Sequence, residues 1–306
     1  MNSEPPTARL AAGSSVLLAS RGRECSMTTI RALWGSTHPG PALVVTVLSL
    51  AIGIASGLDL WRLVLLVASV FANQLSIGLS NDAIDAARDR AVGRQDKPIA
   101  MGVLSRRLAF GVAAGAVVAA LLLSAPLGPG MLAAQALVIA GGWAYNAWLK
   151  STVLSLVPFL VSFGLFPSLA TLSAPEPALA PLWAGIAGAA LGAAVHLTNV
   201  LPDLDDDRAT GVRGFGHRIG VRASAVLAVV GILVGAAVVL LGPVDGDLAA
   251  VPWHGWAFAG AVVLVAVATG VRCIVRTPDR TVFRLVMLAA LLLAAQLVAT
   301  GSALTG

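Results

Sequence analysis

Nine stretches of roughly 20 apolar residues each follow one another along this chain, at about 41–58, 61–80, 108–127, 131–148, 152–172, 181–201, 221–241, 252–271 and 282–301. A segment of that length and apolarity reads as a membrane-spanning helix. The glycines and prolines inside these stretches, such as Pro158 and Pro167, are tolerated in membrane helices when neighbouring helices satisfy the freed backbone groups. Composition agrees: 58% of residues are hydrophobic and only 11% charged, which excludes an ordinary soluble domain. The expected fold is an all-α polytopic membrane protein of about nine transmembrane helices. It forms one domain over 37–306, preceded by a tail over 1–36 that is disordered or a mis-assigned start upstream of Met27.

The basic residues fix an orientation. Placed against the nine stretches, all but Arg62 of the twenty Arg and Lys residues fall on one side. The positive-inside rule then puts the N-terminus in the cytoplasm and the C-terminus outside. The net charge of +5 follows the membrane in this way and does not point to nucleic acid. The two cysteines, Cys25 and Cys273, are too few and too widely spaced for a disulfide framework or a zinc site. Only Lys97 and Lys150 are lysine, and with the Ala/Val/Leu/Gly bias this suggests a bacterial inner membrane.

Two matching clusters of acid carry the chemistry. Asn81-Asp-Ala-Ile-Asp85-Ala-Ala-Arg-Asp89 runs into Arg-Ala-Val-Gly93, and Asn199-Val-Leu-Pro-Asp203-Leu-Asp-Asp-Asp207 runs into Arg-Ala-Thr-Gly211. Each follows directly on an apolar stretch, so both lie at the cytoplasmic face. Carboxylates beside a membrane span are costly, and two copies of one pattern are hard to explain as solvated surface. Four-residue spacing puts the three key positions on one helical face, about 6 Å apart along the axis. Asp82 falls on the same broad arc in the first motif and Asp206 in the second, whereas Asp205 points away. Two such stripes facing each other make an oxygen-rich site for hard divalent cations, Mg²⁺ above all, which takes one or two carboxylates and completes its shell with water and phosphate. The loops beyond supply Arg94 and Lys97, and Arg213 and Arg218, as natural phosphate partners. The pattern therefore reads as a diphosphate site.

These motifs, their positions after the second and sixth stretches, the Arg94-Gln-Asp-Lys97-Pro98-Ile-Ala-Met-Gly102 loop and Tyr145-Asn-Ala-Trp-Leu-Lys150 resemble the UbiA superfamily of intramembrane prenyltransferases. The resemblance covers nearly everything from about Arg31 onward. It implies a helical bundle around a central cavity, in which two Mg²⁺ ions, replaceable by Mn²⁺, bridge a prenyl diphosphate whose tail lies in a tunnel open to membrane lipid. Asn81, Asp82, Asp85, Asp89, Asp203 and Asp207 are the expected metal ligands. Lys97 is expected to bind diphosphate, and Tyr145 and Lys150 to line the same pocket. Lysine at 97 departs from the arginine of many members, which keeps the charge and loses the bidentate fork.

The resemblance implies transfer of an isoprenoid chain to an electron-rich acceptor, an aromatic ring such as a hydroxybenzoate or a quinone precursor. A terpene cyclase would need the same metal site. A secondary transporter fits less well, because the acids cluster at the rim and not at the midplane. The intramembrane CDP-alcohol phosphotransferases need an Asp-Gly that Asp82-Ala and Asp85-Ala lack. Asn199 reads equally as a ligand or as interhelical glue, and His196 as a core histidine or an acceptor-orienting group.

Overall fold

The computed structural model describes residues 28–203, 207, 211–276, 279–300 and 304, and only the backbone of Asp203 and Thr300. The part of the expected tail over 1–27, and Asp205 and Asp206 of the second motif, lie outside the described residues. Residues within 28–35, the rest of that tail, form a short helix α1 (Thr28–Gly35). Nine long helices follow among the described residues: α2 (Pro39–Ala55), α3 (Leu60–Ala91), α4 (Arg106–Ser124), α5 (Pro129–Ala147), α6 (Val157–Thr171), α7 (Leu182–Val200), α8 (Phe215–Leu241), α9 (Trp253–Val275) and α10 (Arg280–Thr300).

Each coincides with one of the nine apolar stretches. By length and composition seven of them qualify as spans, and α1 with α2 makes an eighth as a pair bent by 66°. The helix α5 is the shortfall, because Gln135, Asn146, its first-turn Pro129 and three glycines dilute its apolar content. Two of those polar groups are used inside the bundle. Gln135 Nε2 donates to the Ser69 carbonyl, and Asn146 Nδ2 to Ile77 O and Ser80 Oγ, so α5 is fastened to α3 by hydrogen bonds where a lipid-facing helix would carry methyl groups. The multi-pass membrane reading stands on these helices and on a surface where Leu182, Leu264 and Ile274 are largely exposed.

Packing follows chain order. Neighbouring helices pair in sequence, and α10 packs back on α2 and α7, closing a ring around the centre. Small residues permit the close approaches. Ala109, Ala113 and Ala120 of α4 and Ala83 of α3 are fully buried. At the α6–α7 contact a Cβ on Gly188 would stand 2.1 Å from the Phe163 carbonyl oxygen, on rigid backbone. Gly188→Val is therefore expected to separate these helices and lower stability by about 1–3 kcal/mol. Thermal unfolding in detergent checks this, and an unchanged midpoint would refute the close packing.

One local feature positions the site. The turn between α1 and α2 is made by His38 in the left-handed region (φ 54°), a conformation uncommon for a residue with a side chain. At the other end of the bundle Arg62 donates from Nη1 to the Ser173 carbonyl at 2.7 Å, just past the C-terminus of α6.

Candidate active site

The first motif stays helical throughout, since α3 continues to Ala91. The second does not. The helix α7 ends at Val200 and a 3₁₀ turn, Leu201–Asp203, takes over around Pro202, which has no N–H to continue the ladder. The four-residue stripe is thus one unbroken helical face in the first motif, whereas the helix carrying Asn199 ends before Asp203. The two motifs nevertheless meet at one end of the bundle, on a cavity of about 630 Å³.

Of the expected site residues, Asn81, Asp85, Asp89, Arg94, Lys97, Tyr145, Lys150, Asn199 and Asp207 line this cavity. Asp82 does not. Its carboxylate is 1% exposed and turned the other way, accepting from His38 Nε2 at 2.9 Å and from the Lys97 ammonium. At one residue past Asn81 it lies about 100° round the helix, which is enough to face the α1–α2 turn. Its second oxygen, Oδ2, is buried and has no hydrogen-bond partner among the described residues. Arg213 and Arg218 are also away from the cavity, where Arg218 Nε donates to the Arg213 carbonyl at 3.2 Å on an exposed surface. The Asp203 side chain lies outside the described residues.

Arg88 joins the motifs. Its Nη2 donates to Asp85 Oδ2 at 2.9 Å, and its Nη1 stands 3.7 Å from Asp207 Oδ1. The Lys150 ammonium donates to the other Asp85 oxygen, and His217 Nε2 donates to Asp207 Oδ2 at 3.1 Å. Lys150 sits beyond the end of α5, where burial lowers its basicity against the opposing pull of Asp85. At the rim Arg94 grips Asp96 through Nε and Nη2, at 2.8 and 2.9 Å, and that fork holds the Asp96 carboxyl well below the usual carboxylate range. Arg280 reaches the same carboxylate at 3.5 Å.

Several lining residues carry signals that spacing alone could have exposed. Arg88 is three residues from Asp85 within the motif, close enough to pair on a helix. Arg280 and Arg284, which read in the sequence as orientation signals, stand one turn apart at the start of α10 and both reach the cavity. His38 and His217 had no such signal, because their partners lie 44 and ten residues away.

A second, apolar cavity of about 240 Å³ opens from the first. The two share His38, Pro41, Asn81, Tyr145, Asn199, Phe283 and Met287. Its walls include Phe159, Phe163 and Phe166, three rings in sequence at centroid spacings of 6.2 and 6.3 Å.

The family profile described as the UbiA prenyltransferase family matches residues 42–292. The chain belongs to that family. No curated protein matches the sequence. Among solved structures, a UbiA homologue from Archaeoglobus fulgidus bound to GPP and Mg²⁺ is similar over 89% of this chain and 99% of its own, at 16% identity and a TM-score of 0.66. A UbiA homologue from Aeropyrum pernix K1 without ligand is similar over 84% of this chain and 97% of its own, at 16% identity and a TM-score of 0.69. A digeranylgeranylglyceryl phosphate synthase is similar at 11% identity and a TM-score of 0.64, over 89% of this chain and 98% of its own. At such identities these likenesses speak for a shared UbiA fold.

Proposed function

We propose that this protein is a Mg²⁺-dependent intramembrane prenyltransferase that moves an isoprenoid chain from a prenyl diphosphate to an aromatic acceptor. The observation that carries the reading is the junction of the two cavities. A polar chamber with carboxylates from both motifs, and cations from the first motif, the loop after it, Lys150 and the start of α10, opens directly onto an apolar one walled by aromatic rings. A diphosphate fits the first and a hydrocarbon tail the second, with the bond between them at Asn81, Tyr145 and Asn199. The similar structure with GPP and Mg²⁺ supports the same assignment.

The donor set fits the metal. Asp85, Asp89 and Asp207 offer carboxylate oxygens, and Asn81 and Asn199 amide oxygens, to one chamber. Among the described residues no three His, Cys, Asp or Glu side chains form a metal-holding group. Mg²⁺ needs no such group, since it is commonly held by one or two carboxylates with water and phosphate. Bound there, it would supply Lewis-acid neutralisation of the leaving diphosphate. The chain's own part is to hold the phosphate oxygens with Arg88, Lys97, Lys150, Arg280 and Arg284. Tyr145, Phe159 and Phe163 keep water from the allylic end. With the basic side facing the cytoplasm, the N-terminus lies inside, the C-terminus outside, and the membrane is a bacterial inner membrane.

The test is direct. Membranes containing the protein are given geranyl diphosphate and Mg²⁺ with a hydroxybenzoate, with a quinone precursor, or with neither. Acceptor-dependent release of pyrophosphate with a prenylated ring is expected. A cyclised terpene formed without acceptor would replace transfer by cyclisation.

Lys97 sharpens this reading, because its ammonium stands between buried Asp82 and the chamber. A charge-assisted bond to phosphate contributes about 1.5–3 kcal/mol. Lys97→Met is thus expected to cut kcat/KM roughly ten- to a hundredfold, and Lys97→Arg to recover much of it. Unaltered kinetics with a lowered unfolding temperature would mean that Lys97 only props up Asp82.

A further inference from the structure

His196 and Ser155 form a pair that diphosphate binding does not use. His196 lies on α7, one turn before Asn199, and is 1% exposed, with its ring in the wall of the polar cavity. Ser155, fully buried, lies in the 3₁₀ turn Val153–Leu156 that leads into α6. Its Oγ accepts from the Phe215 N–H at 2.8 Å and stands 3.2 Å from His196 Nε2. A Cβ on Gly214 would come within 2.8 Å of that Oγ and 2.5 Å of the Lys150 carbonyl oxygen, so glycine is what lets the start of α8 press on this turn. Three segments of the chain converge on one hydroxyl.

Phe215 already donates to the Ser155 oxygen, and the Ser155–His196 bond can run either way, since a hydroxyl both donates and accepts. With Ser155 as donor to Nε2, the neutral imidazole carries its proton on Nδ1. That nitrogen is buried and has no hydrogen-bond partner among the described residues. A buried ring nitrogen without a partner is rare in folded proteins and asks for an explanation. The ring is flanked by Phe159, at 4.8 Å between centroids, and edge-on by Tyr145 at 5.8 Å, and both of these also line the apolar cavity.

We infer that Ser155 donates to His196 Nε2 and that the His196 Nδ1–H anchors a hydroxyl oxygen carried directly on the acceptor's ring, with the ring face against Tyr145 and Phe159. The inference rests on the prenyltransferase reading and adds to it the acceptor's seat. His196 binds the acceptor, and Ser155 acts as a positioning residue that sets which nitrogen holds the proton.

The experiment uses the full chain in proteoliposomes as wild type, His196→Phe, His196→Gln and Ser155→Ala. Each is given geranyl diphosphate and Mg²⁺ with 4-hydroxybenzoate, with 1,4-dihydroxy-2-naphthoate, or with neither, and pyrophosphate and prenylated product are followed separately. Loss of one neutral hydrogen bond predicts an acceptor KM raised about tenfold in His196→Phe, with the geranyl diphosphate KM within about twofold of wild type. His196→Gln, which keeps an N–H donor, should recover much of the acceptor affinity, and Ser155→Ala should raise the acceptor KM alone by a smaller factor. An unchanged acceptor KM in His196→Phe, or both KM values rising together, overturns the inference. So does wild type that releases pyrophosphate yet prenylates neither ring. If wild type releases no pyrophosphate in any mixture, the prenyltransferase reading itself fails and the inference falls with it.

Discussion

Asp85→Asn is expected to lower kcat/KM by about three orders of magnitude, in line with the several kcal/mol that metal-assisted charge neutralisation contributes. Asp85 is shared by Arg88 at 2.9 Å and by the Lys150 ammonium while it lines the cavity wall. An amide in its place is a weaker Mg²⁺ ligand and leaves two half-buried cations facing each other without an anion between them. Two effects then add. The divalent site loses a ligand, and Arg88 loses the tether that keeps it 3.7 Å from Asp207. Asp96→Asn is the control. Asp96 is half exposed and pairs with Arg94 and Arg280 at the rim, where an ion pair contributes about 0–1 kcal/mol. Kinetics of the two variants, alongside Mn²⁺ binding followed by paramagnetic resonance, decide the matter. Wild-type turnover and Mn²⁺ affinity in Asp85→Asn would sink the metal-site assignment.

The helices were legible because each is written as an apolar stretch bounded by Gly, Pro or charge, and a membrane leaves such a stretch one way to satisfy its backbone. At His38 the sequence His-Pro-Gly-Pro marks a turn or helix entry, but nothing in it announces that the histidine takes positive φ and turns its ring onto Asp82. Within the first motif, spacing placed Asn81, Asp85 and Asp89 correctly on the chamber wall, because α3 remains regular through all three. The same spacing misplaced Asp82, whose direction is set by His38 and Lys97, partners 44 and 15 residues away. In the second motif Pro202, whose missing N–H is itself a sequence signal for a kink, coincides with the end of the regular helix before Asp203. Arg280 and Arg284 went unrecognised for a related reason. A cytoplasmic arginine that orients a helix and one that lines a cavity look alike until α10 is seen packed against α2 and α7.

Removal of divalent metal should abolish turnover, with Mg²⁺ or Mn²⁺ restoring it. The reason lies in how the protein's own charges are already committed. Lys97 is paired with Asp82, Lys150 with Asp85, and Arg88 with Asp85 and Asp207. Asp89 adds a buried carboxylate to the same chamber. A diphosphate entering alone would have to break these pairs, or rely on Arg284 and on Arg280, which itself reaches Asp96 at 3.5 Å. Divalent ions reverse that balance by giving the carboxylates positive charge to hold and the phosphate oxygens positive charge to meet. Two readouts follow. Pyrophosphate release in excess chelator should fall below detection, and binding of a non-hydrolysable geranyl diphosphate analogue, measured by calorimetry, should weaken by at least about a hundredfold, or about 2.7 kcal/mol. Analogue binding that is indifferent to chelator would mean that Arg88, Lys97, Lys150, Arg280 and Arg284 hold the diphosphate without metal, and the carboxylates would then need another role.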